Sequence, residues 1–349
     1  MAVTGETLRI VAQLRRQLDT MTAAQTLALT KAWVEAWDVL MPEFQTALVE
    51  LISAGDSVVP YKTVAANIRL RDALRHTREV LDELAGQTNS VVTNDLSQAV
   101  LDAVDGHAAL IGSQLPPATA NAGVSFTRIS QDALAAIVER ATEQIHASTL
   151  PLPGDVERIM KRELVRGIAV GANPQVTARR ILQQTEQRFN GGLTRALTIA
   201  RTETLDAHRA ATQASEKANT EILQEWEWHA ALTARTCPSC WAKHGTRHPL
   251  DEDGPNDHQN GRCTRVSITK SWAELGFKNI PEPAPVTQDA EAVFNSLTPD
   301  TQKAIMGPER LKLLQDGDIK WAELSTVKQT PGWRDSHTVT PLRDLKAAA

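Results

Sequence analysis

Glu225-Trp226-Glu227-Trp228-His229, then Cys237-Pro238-Ser239-Cys240, then His258-Gln259-Asn260-Gly261-Arg262-Cys263, mark where the chain stops reading as helix. Residues 225–229 alternate strictly. That pattern predicts a strand with both Trp rings on one face and the polar groups on the other. From there to about Ile268 the sequence is rich in turn formers, with Gly245, Pro249, Gly254-Pro255 and Gly261. Short strands arranged around the cysteines are expected. All three cysteines of the 349-residue chain fall in this stretch. An odd count argues against a closed disulfide framework, and a reducing compartment with cytosolic synthesis is the simpler assumption.

Cys237 and Cys240 present two thiols from a tight turn, a common half of a zinc site. The spacing C-x2-C-x17-H-x4-C, formed by Cys237, Cys240, His258 and Cys263, is compatible with a structural Cys3His site. His244 and His248 compete for the histidine position. Bound metal would knit together a loop-rich segment too small for a core of its own. Metal-free thiols are the alternative, and a redox pair is a third reading that lacks a βαβ context. Catalytic zinc is disfavoured, because the chain has no helix-borne His pair with an intervening Glu. His258-x-Asn260 is a weak match to an HNH-type nuclease, without an evident strand–strand–helix setting.

Working outward, the chain is mainly α. Leu8, Val11, Leu14 and Leu18 recur at helical spacing, as do Trp33, Trp37 and Leu40. Met41-Pro42-Glu43 predicts a break and a new helix start. A helix from about Tyr61 to Leu84, punctuation at Gly86-Gln87-Thr88-Asn89, and a further helix over roughly 94–111 complete an N-terminal helical bundle, residues 1–115. Residues 116–128 read as a linker. Helices are expected over 130–147, 154–168, 174–188 and 192–219, the last two separated by Asn190-Gly191-Gly192. These long central helices and a small α+β cysteine module (225–268) make up a region spanning 129–280. A short helix is expected over Ser271–Phe277. Residues 281–349 read as a Pro-rich spacer and short C-terminal helices, at about Ala290–Ser296, Pro299–Met306, Glu309–Gln315 and Ile319–Ser325.

Ala200-Arg201-Thr202-Glu203-Thr204 lies in the last long helix. Asp206 is three residues from both Glu203 and Arg209. Helical position favours a solvated face, where such pairs contribute only about 0.3–0.5 kcal/mol. The alternative is that Arg201 and Glu203 turn inward, or toward the cysteine module, as buried anchors.

Composition narrows the function classes. The chain is 42% hydrophobic and 23% charged with a formal net charge of −5, a pI near 6.0 and a mean hydropathy of −0.29. Residues 126–218 hold 13 Lys+Arg against 10 Asp+Glu, too small an excess for a duplex-binding stripe. No apolar run approaches the roughly 18 residues of a membrane span. The N-terminus lacks the basic and apolar regions of a secretory signal.

The combination of motifs resembles the phage Mu F-like head morphogenesis family, the minor head proteins of tailed bacteriophages. The resemblance rests on Gly167-Ile168-Ala169-Val170-Gly171, Ala200-Arg201-Thr202-Glu203-Thr204, the Trp226/Trp228 strand, Cys237-Pro-Ser-Cys240, Gly245, and His258 with Arg262-Cys263. In the tail it rests on Phe294-x-x-Leu297-Thr298-Pro299, Gly307-Pro308-Glu309-Arg310 and Trp333. It covers roughly residues 130–335. One departure stands out: the family's closing motif commonly reads His-Pro-Asn-Cys-Arg-Cys, and Gly261 here replaces a cysteine. If metal is bound, Cys237, Cys240, His258 and Cys263 must suffice; otherwise the site is metal-free.

The resemblance implies a structural, non-enzymatic minor capsid protein with Arg201, Thr202, Glu203 and Thr204 as family-motif residues. It implies association with the portal protein at the portal vertex, with scaffold or major capsid protein and phage DNA as further partners and no membrane. The implied location is the virion, after assembly in the host cytoplasm. The rival expectation from another class is a zinc-dependent nuclease or DNA-binding protein using the Cys/His module.

Overall fold

The computed structural model describes residues 3–53, 68–117, 119, 129–147, 158, 159, 162, 174–330 and 334–348. It is mainly helical, as the hydrophobic periodicity implies, with a small sheet that carries the cysteines. Among the described residues the long helices are α1 (Gly5–Ser53), α2 (Ile68–Gly112), α3 (Gln131–Ala147) and α4 (Pro174–Ala218). The expected start at Tyr61, most of the 154–168 helix, Gly167–Gly171, Trp333 and most of the 116–128 linker lie outside the described residues.

Three expected breaks are continuous helix instead. α1 runs through Pro42, α2 runs through Gly86-Gln87-Thr88-Asn89, and α4 runs through Asn190-Gly191-Gly192. The energetics explain why local punctuation loses. An interior Pro costs about 3 kcal/mol and an interior Gly about 1 kcal/mol. Burying one large apolar side chain recovers about 1.5–3 kcal/mol. Leu29, Trp33, Ala36 and Leu40 keep one buried seam approaching Pro42, and Leu84, Thr88 and Val92 carry another across Gly86.

Contacts divide the chain into two compact units that are not contiguous in sequence. One comprises residues 21–95 and 142–203. It buries Trp33, Leu81, Val92, Ala196 and Ile199. The other comprises residues 1–20, 96–141 and 204–349, and it holds the cysteine module.

In that second unit β1 (Leu223–His229) is the centre of an antiparallel three-stranded sheet, flanked by β2 (Arg247–Pro249) and β3 (Thr264–Thr269). Trp226 pairs with His248 on one side and Ser267 on the other, and Trp228 pairs with Arg265. Val3, Val11, Leu110, Val266 and Ile268 form one cluster, so the starts of α1 and the end of α2 are packed on β3. The alternation of β1 is confirmed, but its polar face is not solvated. Glu227 and His229 are buried, paired at 2.7 Å, and Thr287 from beyond the Pro-rich spacer donates to Glu227 at 2.8 Å.

The tail corrects two further expectations. Ser271–Phe277 forms turns rather than a helix. Its Trp272 is committed to Gln114, with the indole N–H donating to that carbonyl at 2.8 Å. Helices α6 (Ala290–Asn295), α7 (Pro299–Met306) and α8 (Pro308–Asp316) follow the module helix α5 (Pro238–Lys243). Thr298 caps α7 by accepting from the Thr301 N–H, and Gly317 ends α8 at φ 79°. The expected helix over Ile319–Ser325 is only a 3-10 turn, Trp321–Leu324. It leads into β4 (Ser325–Lys328), which pairs antiparallel with β5 (Ser336–Val339) ahead of a last helix, α9 (Leu342–Ala348). Trp241 of α5 joins Phe294, Ile305, Met306 and Leu324 in the tail's core, so module and tail share hydrophobic packing.

Candidate metal centre

Cys237 is the N-cap of α5, with Pro238 in its first turn and Cys240 one turn inside. Pro at that position needs no hydrogen-bond partner and fixes the entry of the helix, so the two sulfurs leave the same end. Cys263 immediately precedes β3, and His258 sits on the loop between β2 and β3. A tight turn brings the loop round: Gly261 N–H donates to the His258 carbonyl at 2.8 Å, with Asn260 in the left-handed region at φ 62°.

The fold gathers the four residues singled out by spacing, together with a fifth. The ligand atoms of Cys237, Cys240 and His258 lie within 4.8 Å of one another, as do those of Cys240, Asp257 and Cys263. Cys240 belongs to both trios. The competing histidines are committed elsewhere. His244 Nδ1 accepts from the Ala230 N–H at 3.0 Å. His248 contacts Glu252 and Thr246 and stacks on Trp226 with ring centroids 4.4 Å apart.

Electrostatics separate the thiols. The Cys240 thiol hydrogen-bonds to Cys237 and, with His258 close by, holds Cys237 down to about 4. Hydrogen bonding to Cys237 and Cys263, with burial, pushes Cys240 well up. The partnership with Cys237 raises His258 to about 9. Without metal this is a thiolate–imidazolium pair beside a neutral thiol. His258 Nδ1 lies 2.8 Å from the Gln259 carbonyl, so it carries a proton and Nε2 is the nitrogen left to face sulfur.

Asp257 is the centre of a buried ion network. It is fully buried, and its Oδ2 accepts from Arg209 Nη2 at 3.0 Å and from the Cys263 N–H at 3.0 Å. Its Oδ1 lies 2.9 Å from Arg209 Nη1 and 3.5 Å from Arg334. Arg209 also donates to Asp206 at 2.8 Å and to the carbonyls of Gly261 and Cys263 at 3.1 and 2.6 Å. Burial alone would lower the Arg209 guanidinium, but Asp257 and Asp206 outweigh it and hold the charge. Arg334 clamps Asp206 at 2.6 and 3.0 Å and donates to the Asp257 carbonyl at 2.7 Å.

Gly261 belongs to this network by exclusion. A Cβ at position 261 would lie 2.1 Å from Asp257 Oδ2 and 2.6 Å from the His258 carbonyl oxygen. The Asp257 carboxylate therefore packs directly on the bare backbone of Gly261.

A second buried polar chain ties helices to sheet. Ser267 Oγ donates to Glu216 Oε1 at 2.6 Å and so accepts from His107 Nε2–H at 2.7 Å. His107 Nδ1 then accepts from Ser215 Oγ at 2.6 Å. Glu216 also pairs with Arg265 at 2.5 Å. Burial lowers His107 to about 3 and raises Glu216.

Sequence reasoning singled out the Cys/His set that the fold gathers but missed Asp257, Arg334 and the Glu216 chain. Asp257 and Glu216 read locally as ordinary surface acids. The solvated face expected for the Asp206–Arg209 helix is overturned at Arg209 and Glu203, both buried. Thr202 and Thr204 are buried as well, and Arg201 is half-buried. Thr202 Oγ1 donates back to the Thr198 carbonyl at 2.7 Å. Arg201, Thr202 and Glu203 belong to the unit of residues 21–95 and 142–203, and Thr204 begins the run that packs with the module. It is Arg209, two turns on from Arg201, that reaches the cysteine loop.

A mainly helical chain with a Cys/His knob held by buried ion pairs is thus the class that the fold and the site define. Residues 158–266, about a third of the chain, match the family model described as Phage Mu protein F like protein. That third of the chain is similar to the Mu F-like domain. The match runs from the lead-in of α4 through the cysteine module into β3. No curated protein and no solved structure matches the chain. Among the described residues no helix is long and apolar enough to cross a membrane.

Proposed function

We propose that this chain is a structural minor capsid protein of a tailed bacteriophage, acting in head morphogenesis in association with the portal vertex. The family match over residues 158–266 carries this reading, since the Mu F-like family is one of phage head morphogenesis proteins. The chemistry of the module supports a non-enzymatic role. His258 and the thiols are turned toward one another, and Asp257 and Arg209 neutralise each other in the interior. Such groups hold a knob together and offer no general base directed at a substrate. The portal protein is the principal partner in this reading, with scaffold or major capsid protein and packaged DNA as further contacts.

Co-expression with the cognate portal protein, followed by purification through the portal, tests the reading. Retention of the full chain at a defined ratio is expected. Loss of the chain on washing, from portal and from assembled heads alike, would refute it. Metal-dependent DNA cleavage abolished by His258→Ala would replace it with the nuclease reading.

A further inference from the structure

We propose that Cys237, Cys240 and Cys263, through Sγ, and His258, through Nε2, form a closed structural site for one zinc-class metal ion. Asp257 serves as its anchor and not as a ligand. The juxtaposition is the first ground. Three sulfurs, one imidazole nitrogen and one carboxylate from three separate segments fall into two trios that share Cys240, each within 4.8 Å. A tetrahedral site with metal–sulfur bonds of about 2.3 Å requires sulfurs about 3.8 Å apart. Binding therefore contracts the Cys237–Cys240–His258 trio by about 1 Å, and Cys263, grouped only with Cys240 and Asp257, must in addition move toward Cys237 and His258. Three thiolates and one imidazole are a soft donor set that favours zinc over magnesium or calcium.

The choice between Cys263 and Asp257 as fourth ligand follows from the hydrogen bonds. Asp257 Oδ2 accepts hydrogen bonds from the Cys263 N–H and Arg209, while Oδ1 has no hydrogen bond but lies in ion-pair contact with the Arg209 and Arg334 guanidiniums at 2.9 and 3.5 Å. Freeing an oxygen for metal would weaken one of the two carboxylate partners of the buried Arg209 and leave Asp206 to neutralise it, a costly exchange. Cys263 carries no such engagement to two cations, and Asp257 grips its backbone N–H while Arg209 grips its carbonyl at 2.6 Å. The carboxylate thereby fixes the direction of the Cys263 side chain, as groups outside a coordination shell commonly do. On the opposite edge the Gln259 carbonyl holds Nδ1–H of His258, which orients Nε2 toward the sulfurs. Four protein ligands leave no open position, so the ion staples the loop and activates no water.

This assignment also accounts for Gly261. The family's additional cysteine is not needed for a four-coordinate shell. Its Cβ could not coexist with Asp257 in the position that orients Cys263.

The test uses the full chain purified without chelator. Elemental analysis is expected to return about one equivalent of zinc. Replacement by cobalt(II) is expected to give thiolate charge-transfer absorption and the intense visible bands of a tetrahedral ion. Cys263→Ser should lower the charge-transfer intensity by about a third, in proportion to thiolates lost. Zinc should also slow the reaction of the thiols with a disulfide reagent more than tenfold. Absence of metal after reconstitution, with thiols equally reactive with and without zinc, overturns the site. An unchanged cobalt spectrum in Cys263→Ser overturns the ligand set. If that variant does not fold, the wild-type charge-transfer intensity decides between three thiolates and two.

Discussion

Gly261→Ala is the smallest perturbation that reaches the centre of the module. The added methyl carbon would lie 2.1 Å from Asp257 Oδ2, 2.3 Å from its Cγ and 2.6 Å from the His258 carbonyl oxygen. Rotating Asp257 away relieves the first two contacts but surrenders the Cys263 N–H and Arg209 bonds to Oδ2. It also leaves a fully buried carboxylate beside a guanidinium that is itself buried. Breaking a buried pair in this way costs about 3–5 kcal/mol. The contact with the His258 carbonyl adds backbone displacement in a turn already closed by the Gly261–His258 hydrogen bond. The expected loss is therefore at least about 3 kcal/mol, read as a lower urea midpoint with unchanged slope. Gly261→Cys, which places the same Cβ there, is expected to be as damaging. Asp257→Ala alone should cost a similar amount, because it removes one of the two carboxylates that neutralise the buried Arg209 and the bond to the Cys263 N–H. The double variant should cost clearly less than the sum, since both changes remove the same contacts. A Gly261→Ala loss under about 1 kcal/mol, or additive losses in the double variant, would refute the packing described here.

Other consequences can be checked with equal directness. His107 is held at about 3 and His208 at about 4 by burial, against an ordinary 6.5. Each therefore binds fewer protons folded than unfolded, so stability is full above about pH 6.5 and falls as pH drops toward the folded values. Acidification to pH 5 should remove about 2 kcal/mol for His107 alone, measured as a falling melting temperature. His107→Leu should flatten that slope, and an unchanged melting temperature between pH 7.5 and 5 would contradict it. Pro42→Ala should stabilise the chain by up to about 3 kcal/mol, because α1 is continuous there. A neutral result in thermal melts would instead indicate a helix start at Pro42.

Much of this architecture is written in local pattern. The Glu225–His229 alternation gives β1, and the expected tail helices Ala290–Ser296 and Pro299–Met306 lie within a residue of the observed ones. Cys237, Cys240, His258 and Cys263 were legible as one set from their spacing, and the fold brings their ligand atoms near one another. What local pattern does not carry is any partner brought from afar. Pro42, Gly86 and Asn190-Gly191-Gly192 punctuate correctly by propensity, yet the helices run on through them, and around Gly86 the buried Leu84, Thr88 and Val92 override the break. Asp257 is a turn acid by sequence and the most buried carboxylate of the module by structure. Its partners, Arg209 and Arg334, lie 48 and 77 residues away. Ser325–Lys328 and Ser336–Val339 are too short for their alternation to compete with a helical reading.

The central claim is that the chain is a structural head protein acting at the portal vertex. A cryo-EM reconstruction of procapsids, with and without this protein, tests it most directly. Density for the helical chain and its Cys/His knob is expected at the portal vertex only, and lost in particles lacking the protein. Density distributed through the shell lattice, or no difference at the portal, would contradict the account.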